Sequence, residues 1–132
     1  MSGIAQGLFE VKTAPMAADE ATAATSIGRF SLDKVYHGEL DAVSAGEMLS
    51  AGNPATGTAG YVAIEQVTGT LHGKRGSFAL QHFGTMNAGA FDLNVRVVPG
   101  SGTDDLEGIT GTLTIVIASG RHSYSLEYTL PT

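Results

Sequence analysis

The chain has 132 residues, enough for one domain spanning 1–132, and no cysteine, which excludes disulfides, thiolate metal ligands and cysteine nucleophiles. Seven Lys and Arg against 13 Asp and Glu give a net charge of −6, without the basic cluster that nucleic-acid binding needs. The N-terminus lacks the features of a secretory signal, and no run of residues suits a membrane helix. We therefore expect a cytoplasmic protein with neither a nucleic-acid nor a membrane partner.

Short segments of alternating apolar and polar residues follow one another along the chain. Eight of them are typical of strands: 9–11, 27–36, 38–48, 61–70, 77–85, 91–98, 109–117 and 122–130. Residues 14–26 are rich in Ala and Thr and indicate a loop or one helical turn, while 51–57 and 99–105 are predicted to be loops. The 18 glycines lie between the apolar runs, which is typical of many short strands joined by tight turns.

These segments predict an all-β fold, a small closed antiparallel β-barrel of about eight strands, because closure removes exposed strand edges. A two-sheet sandwich is the alternative, but hairpin-like spacing favours up-and-down connections. A barrel of this size is either filled by side chains or leaves room for one small ligand. Because closed barrels of this kind often pair, we also expect a small homo-oligomer.

The last predicted strand has the clearest alternation and directs two tyrosines inward. Tyr124 and Tyr128 share an apolar face with Leu126. Their hydroxyls are candidate ligand contacts, and the alternative is that both rings pack in the core with their hydroxyls satisfied.

Glu65 lies in the segment 61–70 with the same parity as Tyr61 and Val67. If that face points inward, the carboxyl sits in an apolar barrel, and a raised pKa would suit it to acid–base chemistry near neutral pH. If the face of Ile64 points inward instead, Glu65 is solvated. The two faces are almost equally apolar, so both interpretations stay open.

His82 shares a face with Phe78 and Leu80, which favours an inward position. Its imidazole is either a catalytic or ligand-contacting group or a core histidine with satisfied nitrogens. Glu65 and His82 are therefore the candidate catalytic residues. Tyr61, Phe78 and Gln81 join the two tyrosines of the last strand as candidate ligand contacts.

The sequence holds little that suggests a metal or a phosphate group. His37 and Glu39 lie on one side of a strand and supply at most half of a metal site, which needs three or four converging ligands. The glycine-rich stretch 99–108 carries three acidic residues and lacks the Gly-Lys-Ser/Thr ending of a phosphate loop. We expect neither a metal nor a cofactor.

Three stretches carry a resemblance to a known bacterial family: GTLHGKRGSFALQH at 69–82, VPGSGTDDLEGITG at 98–111 and HSYSLEYTLP at 122–131. From about Phe9 to Pro131 the chain resembles the family called domain of unknown function 3224. The resemblance implies a barrel of the allene oxide cyclase type, a shape shared with plant dirigent proteins, and no established activity. Phe83 stands where the resemblance leads us to expect a smaller or polar residue. If that position lines the barrel, Phe83 narrows the cavity.

Three functions remain open at this point. The first is an uncharacterised barrel that binds a small apolar metabolite in its interior. The second is a cyclase or isomerase of the allene oxide cyclase type that uses an interior Glu65 or His82. In the plant cyclases an apolar cavity folds a fatty-acid epoxide and a carboxylate steers ring closure, but the resemblance aligns that carboxylate with no position here. The third is a structural domain with a filled barrel.

Overall fold

The computed structural model describes the backbone of all 132 residues and every side chain except that of Pro54. The chain forms eight strands: β1 (Ser2–Pro15), β2 (Gly28–Gly38), β3 (Leu40–Asn53), β4 (Thr58–Leu71), β5 (Lys74–Asn87), β6 (Ala90–Val97), β7 (Thr110–Ala118) and β8 (Arg121–Thr129). Each strand pairs antiparallel with the next, and β8 returns to β1. The predicted closed barrel is confirmed, and the sandwich is wrong. Within the described residues, no helix is long and apolar enough to cross a membrane.

Two-residue turns join the strands of three hairpins. Each places a residue and then a glycine at positive φ: His72–Gly73, Ala88–Gly89 and Ser119–Gly120. Positive φ at both positions is the mark of the type I′ turn, whose twist matches that of the flanking strands. Glycine adopts this conformation at little cost, so the glycines that break the sequence pattern coincide with strand ends.

β1 is longer than the sequence pattern predicts. It begins at Ser2 because Ser2 to Phe9 pair with β8 to close the barrel, and it ends at Pro15, opposite Phe30 of β2. The connection that follows is confined to residues 16–27, where Asp19 accepts hydrogen bonds from the backbone and side chain of Thr22. The first residues of the chain pair with its last strand, and a local pattern of apolar and polar residues does not reveal a partner so distant in sequence.

One end of the barrel, here called the plugged end, is covered by the long loop 98–109. Leu106 and Ile109 of this loop are buried and belong to the apolar core. The loop runs along β5 beyond the end of β6, where the Thr103 backbone N–H donates to the Ser77 carbonyl over 2.9 Å. Inward-facing apolar residues of the strands complete the core of this half: Leu40, Leu71, Phe78, Val97, Leu126 and Leu130.

The opposite end, here called the open end, carries the β1–β2 and β3–β4 connections and the turns after β5 and β7. Inward-alternating side chains are accessible here, since Leu93 is 39% exposed and Ile117 is 66% exposed. Leu113, four residues before Ile117 on the same strand, is only 4% exposed. The barrel interior therefore changes along single strands from packed core to an accessible apolar mouth.

The barrel has its least strand pairing between β6 and β7. Among the residues that the structure describes, the register of these strands consists of the single pair Arg96–Thr112. In contrast, β3 pairs with β4 over its whole length. From Arg96 toward the open end the two strands do not pair, and we call this gap the β6–β7 seam. The seam leaves backbone hydrogen-bonding groups on two strand edges without a strand partner.

Candidate functional site

Four polar side chains meet inside the barrel, between the plugged end and the open end. Lys34 and Tyr36 come from β2, Glu65 from β4 and His82 from β5. Each alternates with outward-facing neighbours, so the pleat of its strand directs it inward. All four are almost completely buried. The structure thus brings the two candidate catalytic residues, Glu65 and His82, into one group, which we call the interior network.

Glu65 is the centre of the interior network, because both of its oxygens accept hydrogen bonds. Oε1 accepts from the Tyr36 hydroxyl over 2.5 Å. Oε2 accepts from Lys34 Nζ over 2.8 Å and from His82 Nε2 over 2.6 Å. Hydrogen bonds to a charged acceptor are short and strong, and three of them hold this carboxylate in one position.

The expected rise in the pKa of Glu65 is wrong. Burial does raise the pKa of this carboxyl, but the hydrogen bond from His82 and the charge of Lys34 outweigh burial and lower it to about 2. Burial and the nearby charge of Glu65 raise the pKa of the Tyr36 phenol, so Tyr36 stays protonated. At neutral pH Glu65 is therefore an ionised acceptor and not a reservoir of protons.

The ionised carboxylate fixes the tautomer of His82. Since Glu65 can only accept, Nε2 of His82 carries the proton of their hydrogen bond. The other ring nitrogen, Nδ1, points toward Tyr61, whose hydroxyl lies 3.5 Å away. In the neutral imidazole Nδ1 is an acceptor, and it is poorly satisfied because that distance is beyond the usual range for a hydrogen bond. Tyr61 is only partly buried and lies on the open-end side of Glu65 on β4.

Two glycines make room for this geometry. Gly84 lies opposite Tyr61, and a Cβ at Gly84 would be 2.4 Å from Cε1 of the Tyr61 ring. The ring therefore occupies the space that a side chain would take. Gly46 lies opposite Glu65, and a Cβ at Gly46 would be 2.0 Å from the Ile64 carbonyl oxygen. The backbones of β3 and β4 thus approach closely beside the carboxylate.

Lys34, Tyr36 and Ser44 are interior polar residues that were not predicted from the sequence. Lys34 Nζ lies 5.0 Å from the centre of the Phe9 ring, a cation–π distance, in addition to its ion pair with Glu65. Ser44, opposite Lys34 on β3, is buried and has no hydrogen-bond partner among the described side chains and backbone. A parity signal existed, because Lys34 and Tyr36 share the face of Leu32, which the alternation already directs inward.

The remaining aromatic candidates lie in the plugged half, away from Tyr61 and His82. The Tyr124 hydroxyl donates to the His37 carbonyl over 2.8 Å and accepts from the Leu40 N–H over 3.0 Å. The Tyr128 hydroxyl lies 2.5 Å from Nδ1 of His72. Phe78 is buried in the apolar core. The contacts of Tyr124 and Tyr128 match the alternative in which both rings pack in the core with their hydroxyls satisfied, and the role of these three residues as ligand contacts stays a prediction.

Gln81 does not face the interior, so the structure does not bring it together with Tyr61 and His82, and its role as a ligand contact stays a prediction. It alternates with Leu80 and His82, which are buried, and its own side chain is exposed on the outer wall. Phe83 has the same parity and is 55% exposed. Phe83 does not line the barrel, so the narrowing of the cavity expected on that condition does not apply.

The side chains of His37 and Glu39, considered above as half of a metal site, contact different residues. Nε2 of His37 lies 3.0 Å from Oε2 of Glu10 on the outer surface. Glu39 accepts from the Gln6 backbone N–H over 2.8 Å and lies 3.2 Å from Nε2 of His72. Among the described residues, no group of three or more His, Asp or Glu side chains converges as metal ligands would.

Two open recesses are lined by no member of the interior network. One, of about 420 Å³, is bordered by Val11, His37 and Arg121, among others. The other, of about 540 Å³, is bordered by Ile4 and Tyr128, among others. Neither includes Tyr61 or His82 in its lining. We place the candidate site at the interior network because buried ionisable groups converge there, and such groups cluster at functional sites.

Comparison with known proteins identifies a family and solved structures that match this chain. The family model described as "Protein of unknown function (DUF3224)" matches residues 5–128. A crystal structure at 1.84 Å of a protein with unknown function from the DUF3224 family, from Shewanella oneidensis MR-1, superposes with a TM-score of 0.90. That relative is 46% identical, and the match covers 100% of this chain and 99% of the other. A comparison with curated proteins gives no match.

Proposed function

The chain belongs to the DUF3224 family of proteins of unknown function, and from its own geometry we propose that the open half of the barrel binds a small, largely apolar molecule. The polar end of this molecule reaches Tyr61 and His82, and its apolar body lies against the inward-facing residues of the mouth. Ligand sites in barrels of this size are typically apolar with a few placed polar groups.

The observation that carries the proposal is the position of the interior network beneath an accessible apolar mouth. Removing two charges from water is costly, and a well-packed apolar core of equal volume is often as stable or more stable. Lys34 and Glu65 are both buried, whereas Tyr61, which lies beside His82 on the open-end side, is only partly buried. A network that served packing alone would gain nothing from a polar atom on its accessible side whose only hydrogen-bond partner lies 3.5 Å away.

A second candidate is proton-transfer catalysis by an isomerase or a cyclase of the allene oxide cyclase type. It is favoured by the pair of Glu65 and His82, in which Nε2 is bound to the carboxylate and Nδ1 is the ring nitrogen that faces Tyr61. In this candidate His82 takes the proton and Glu65 holds the imidazole in place, while Tyr61 can donate a hydrogen bond. The role of Glu65 is then orientation and charge stabilisation.

The test of binding is native mass spectrometry of the protein as purified from cells, followed by extraction of any bound compound. We expect a stoichiometric small molecule that is partly lost in Tyr61→Phe and fully kept in Tyr128→Phe. The second variant is a matched control, because it removes the same hydroxyl from the plugged half. An empty protein whose mouth also binds no added apolar compound would favour the filled barrel.

The two candidates separate once the extracted compound is known. A catalyst that moves protons exchanges hydrogen at the reacting carbon, so incubation in D₂O would introduce deuterium into the compound or its product. Loss of this exchange in His82→Gln, with binding retained, would favour catalysis. Binding with no exchange and no conversion would leave the barrel as a binding protein.

A further inference from the structure

The chemistry of the ligand's polar end can be read from the donors and acceptors that the site presents, and this step rests on the proposed binding function. We propose that this end is an uncharged hydroxyl, which donates its hydrogen to Nδ1 of His82 and accepts a hydrogen bond from Tyr61. The ligand class is therefore an apolar alcohol or phenol and not a fatty acid.

The first step concerns charge. Lys34 and Glu65 form a buried ion pair at 2.8 Å, so their charges balance. Glu65 also accepts from Tyr36 and His82, and its oxygens are turned into the network rather than toward the mouth. The polar groups next to this ion pair on its open-end side are the His82 imidazole and the Tyr61 phenol.

The second step concerns hydrogen-bond direction. Nε2 of His82 donates to Glu65, and in the neutral imidazole the lone pair of Nδ1 is then left to accept. The Tyr61 hydroxyl donates and lies 3.5 Å from Nδ1, longer than a good hydrogen bond. A single oxygen placed beside both groups satisfies them only if it both donates and accepts. A hydroxyl does so, an ether oxygen only accepts, and a carboxylate only accepts and carries a negative charge.

The third step concerns discrimination against acids. A carboxylate at this position would face the Nδ1 lone pair, with the Glu65 carboxylate on the far side of the same imidazole ring. The positive charge of Lys34 is already paired and lies in contact with the Phe9 ring on the inner side. Like-charge juxtaposition and an unpaired desolvated charge both weaken binding, so the site selects for the neutral group.

The experiment uses three probes of nearly equal size: 1-octanol, its isomer 1-methoxyheptane, and octanoate at neutral pH. Met48 and Met86 report binding, because both share the inward-facing parity of their strands at the open end and are partly buried. Their ¹³C-labelled methyl resonances give the affinity of each probe. The ¹⁵N resonances of the His82 ring report which nitrogen receives the hydrogen bond.

We expect 1-octanol to bind about fivefold more tightly than 1-methoxyheptane, because it makes one more hydrogen bond. We expect its affinity to exceed that of octanoate by about tenfold or more. Octanol should move the Nδ1 resonance and leave Nε2 nearly unchanged. In His82→Leu the affinity for octanol should fall to that for the ether. In Tyr61→Phe both should weaken together, because both oxygens accept from the phenol, and Tyr128→Phe should change neither.

The outcomes separate this inference from the function beneath it. If octanoate binds most tightly, if the ether equals octanol, or if octanol binds without moving Nδ1, the hydroxyl assignment is overturned and the binding function stands. If no probe moves the Met48 or Met86 methyl resonances, the binding function itself is overturned. The Nδ1 readout uses the unmodified protein, so the test decides even if His82→Leu does not fold.

Discussion

The strands alternate inward- and outward-facing side chains at both ends of the barrel, but the inward-facing apolar side chains are buried at one end and exposed at the other. At the plugged end Leu126 and Leu130 face inward and are buried, while at the open end Leu93 and Ile117 also face inward and remain exposed. The difference is the loop 98–109, which places Leu106 and Ile109 in the core of one end. Alternation therefore decides the direction of a side chain, and a covering segment decides whether that direction means burial.

The polar groups of the two ends differ in the same way. In the plugged half the hydroxyl of Tyr124 donates to one backbone carbonyl and accepts from a backbone N–H. Toward the open half Nδ1 of His82 has only the Tyr61 hydroxyl, at 3.5 Å. Satisfied phenols are what packing requires, whereas a poorly satisfied acceptor beside an accessible mouth is what a ligand site requires.

The largest effect is expected where the interior network is broken. Glu65→Ala leaves Lys34 as an unpaired buried charge, which should lower the free energy of unfolding by about 3–5 kcal/mol. The matched control is Glu47→Ala, which removes the partner of Arg29 from an exposed pair with the same N–O distance of 2.8 Å. That change should cost about 0–1 kcal/mol. Urea unfolding of both variants measures the difference.

The double variant Lys34→Met/Glu65→Leu sharpens this comparison. Replacing both charges by apolar groups should recover most of the stability lost in Glu65→Ala, because no unpaired charge remains. It should not recover ligand binding at His82, since the imidazole then has no carboxylate to fix its tautomer. Equal losses of unfolding free energy in Glu65→Ala and Glu47→Ala would show that the Lys34–Glu65 pair is solvated. The physical basis for placing the site at the interior network would then be removed.

Acid should weaken the protein through the same carboxyl. The pKa of Glu65 is about 2 in the folded state against an ordinary value of 4.5, so the unfolded chain binds a proton first as the pH falls. The stability present above pH 4.5 is therefore lost as the pH falls toward 2, by about 3 kcal/mol. Urea midpoints across this window should show a steeper loss in the parent protein than in Glu65→Gln, and parallel curves would contradict the shift.

A smaller effect should separate the two ends directly. Leu106→Ala removes a buried side chain from the plug and should cost about 2 kcal/mol, near the low end for such changes because the loop can relax. Leu93→Ala alters a side chain that is 39% exposed at the mouth and should cost less than about 1 kcal/mol. Equal losses in urea unfolding would mean that the mouth is packed in solution, and the open end would not be open.

The sequence predicted the fold better than the site, for physical reasons that particular residues show. Strands such as 122–130 have clear alternation because one face is buried against the core, so the barrel could be recognised. The strand of Glu65 is apolar on both faces, and only pairing with Gly46 and Leu80 decides which one points inward. The lowered pKa of Glu65 depends on Lys34, 31 positions away in sequence, and barrel closure alone brings the two together.

The smallest predicted effect is a difference in amide hydrogen exchange between the β6–β7 seam and the fully paired strands β3 and β4. About half of the amides of β6 and β7 point toward the seam, where among the described residues only Arg96 and Thr112 form a registered pair. Those amides should exchange with D₂O by local opening, at least about tenfold faster than the amides shared by β3 and β4, which pair along their full length. Amide-resolved hydrogen exchange by NMR measures both sets in one sample. Uniform protection around the ring would instead mean that β6 and β7 pair in solution.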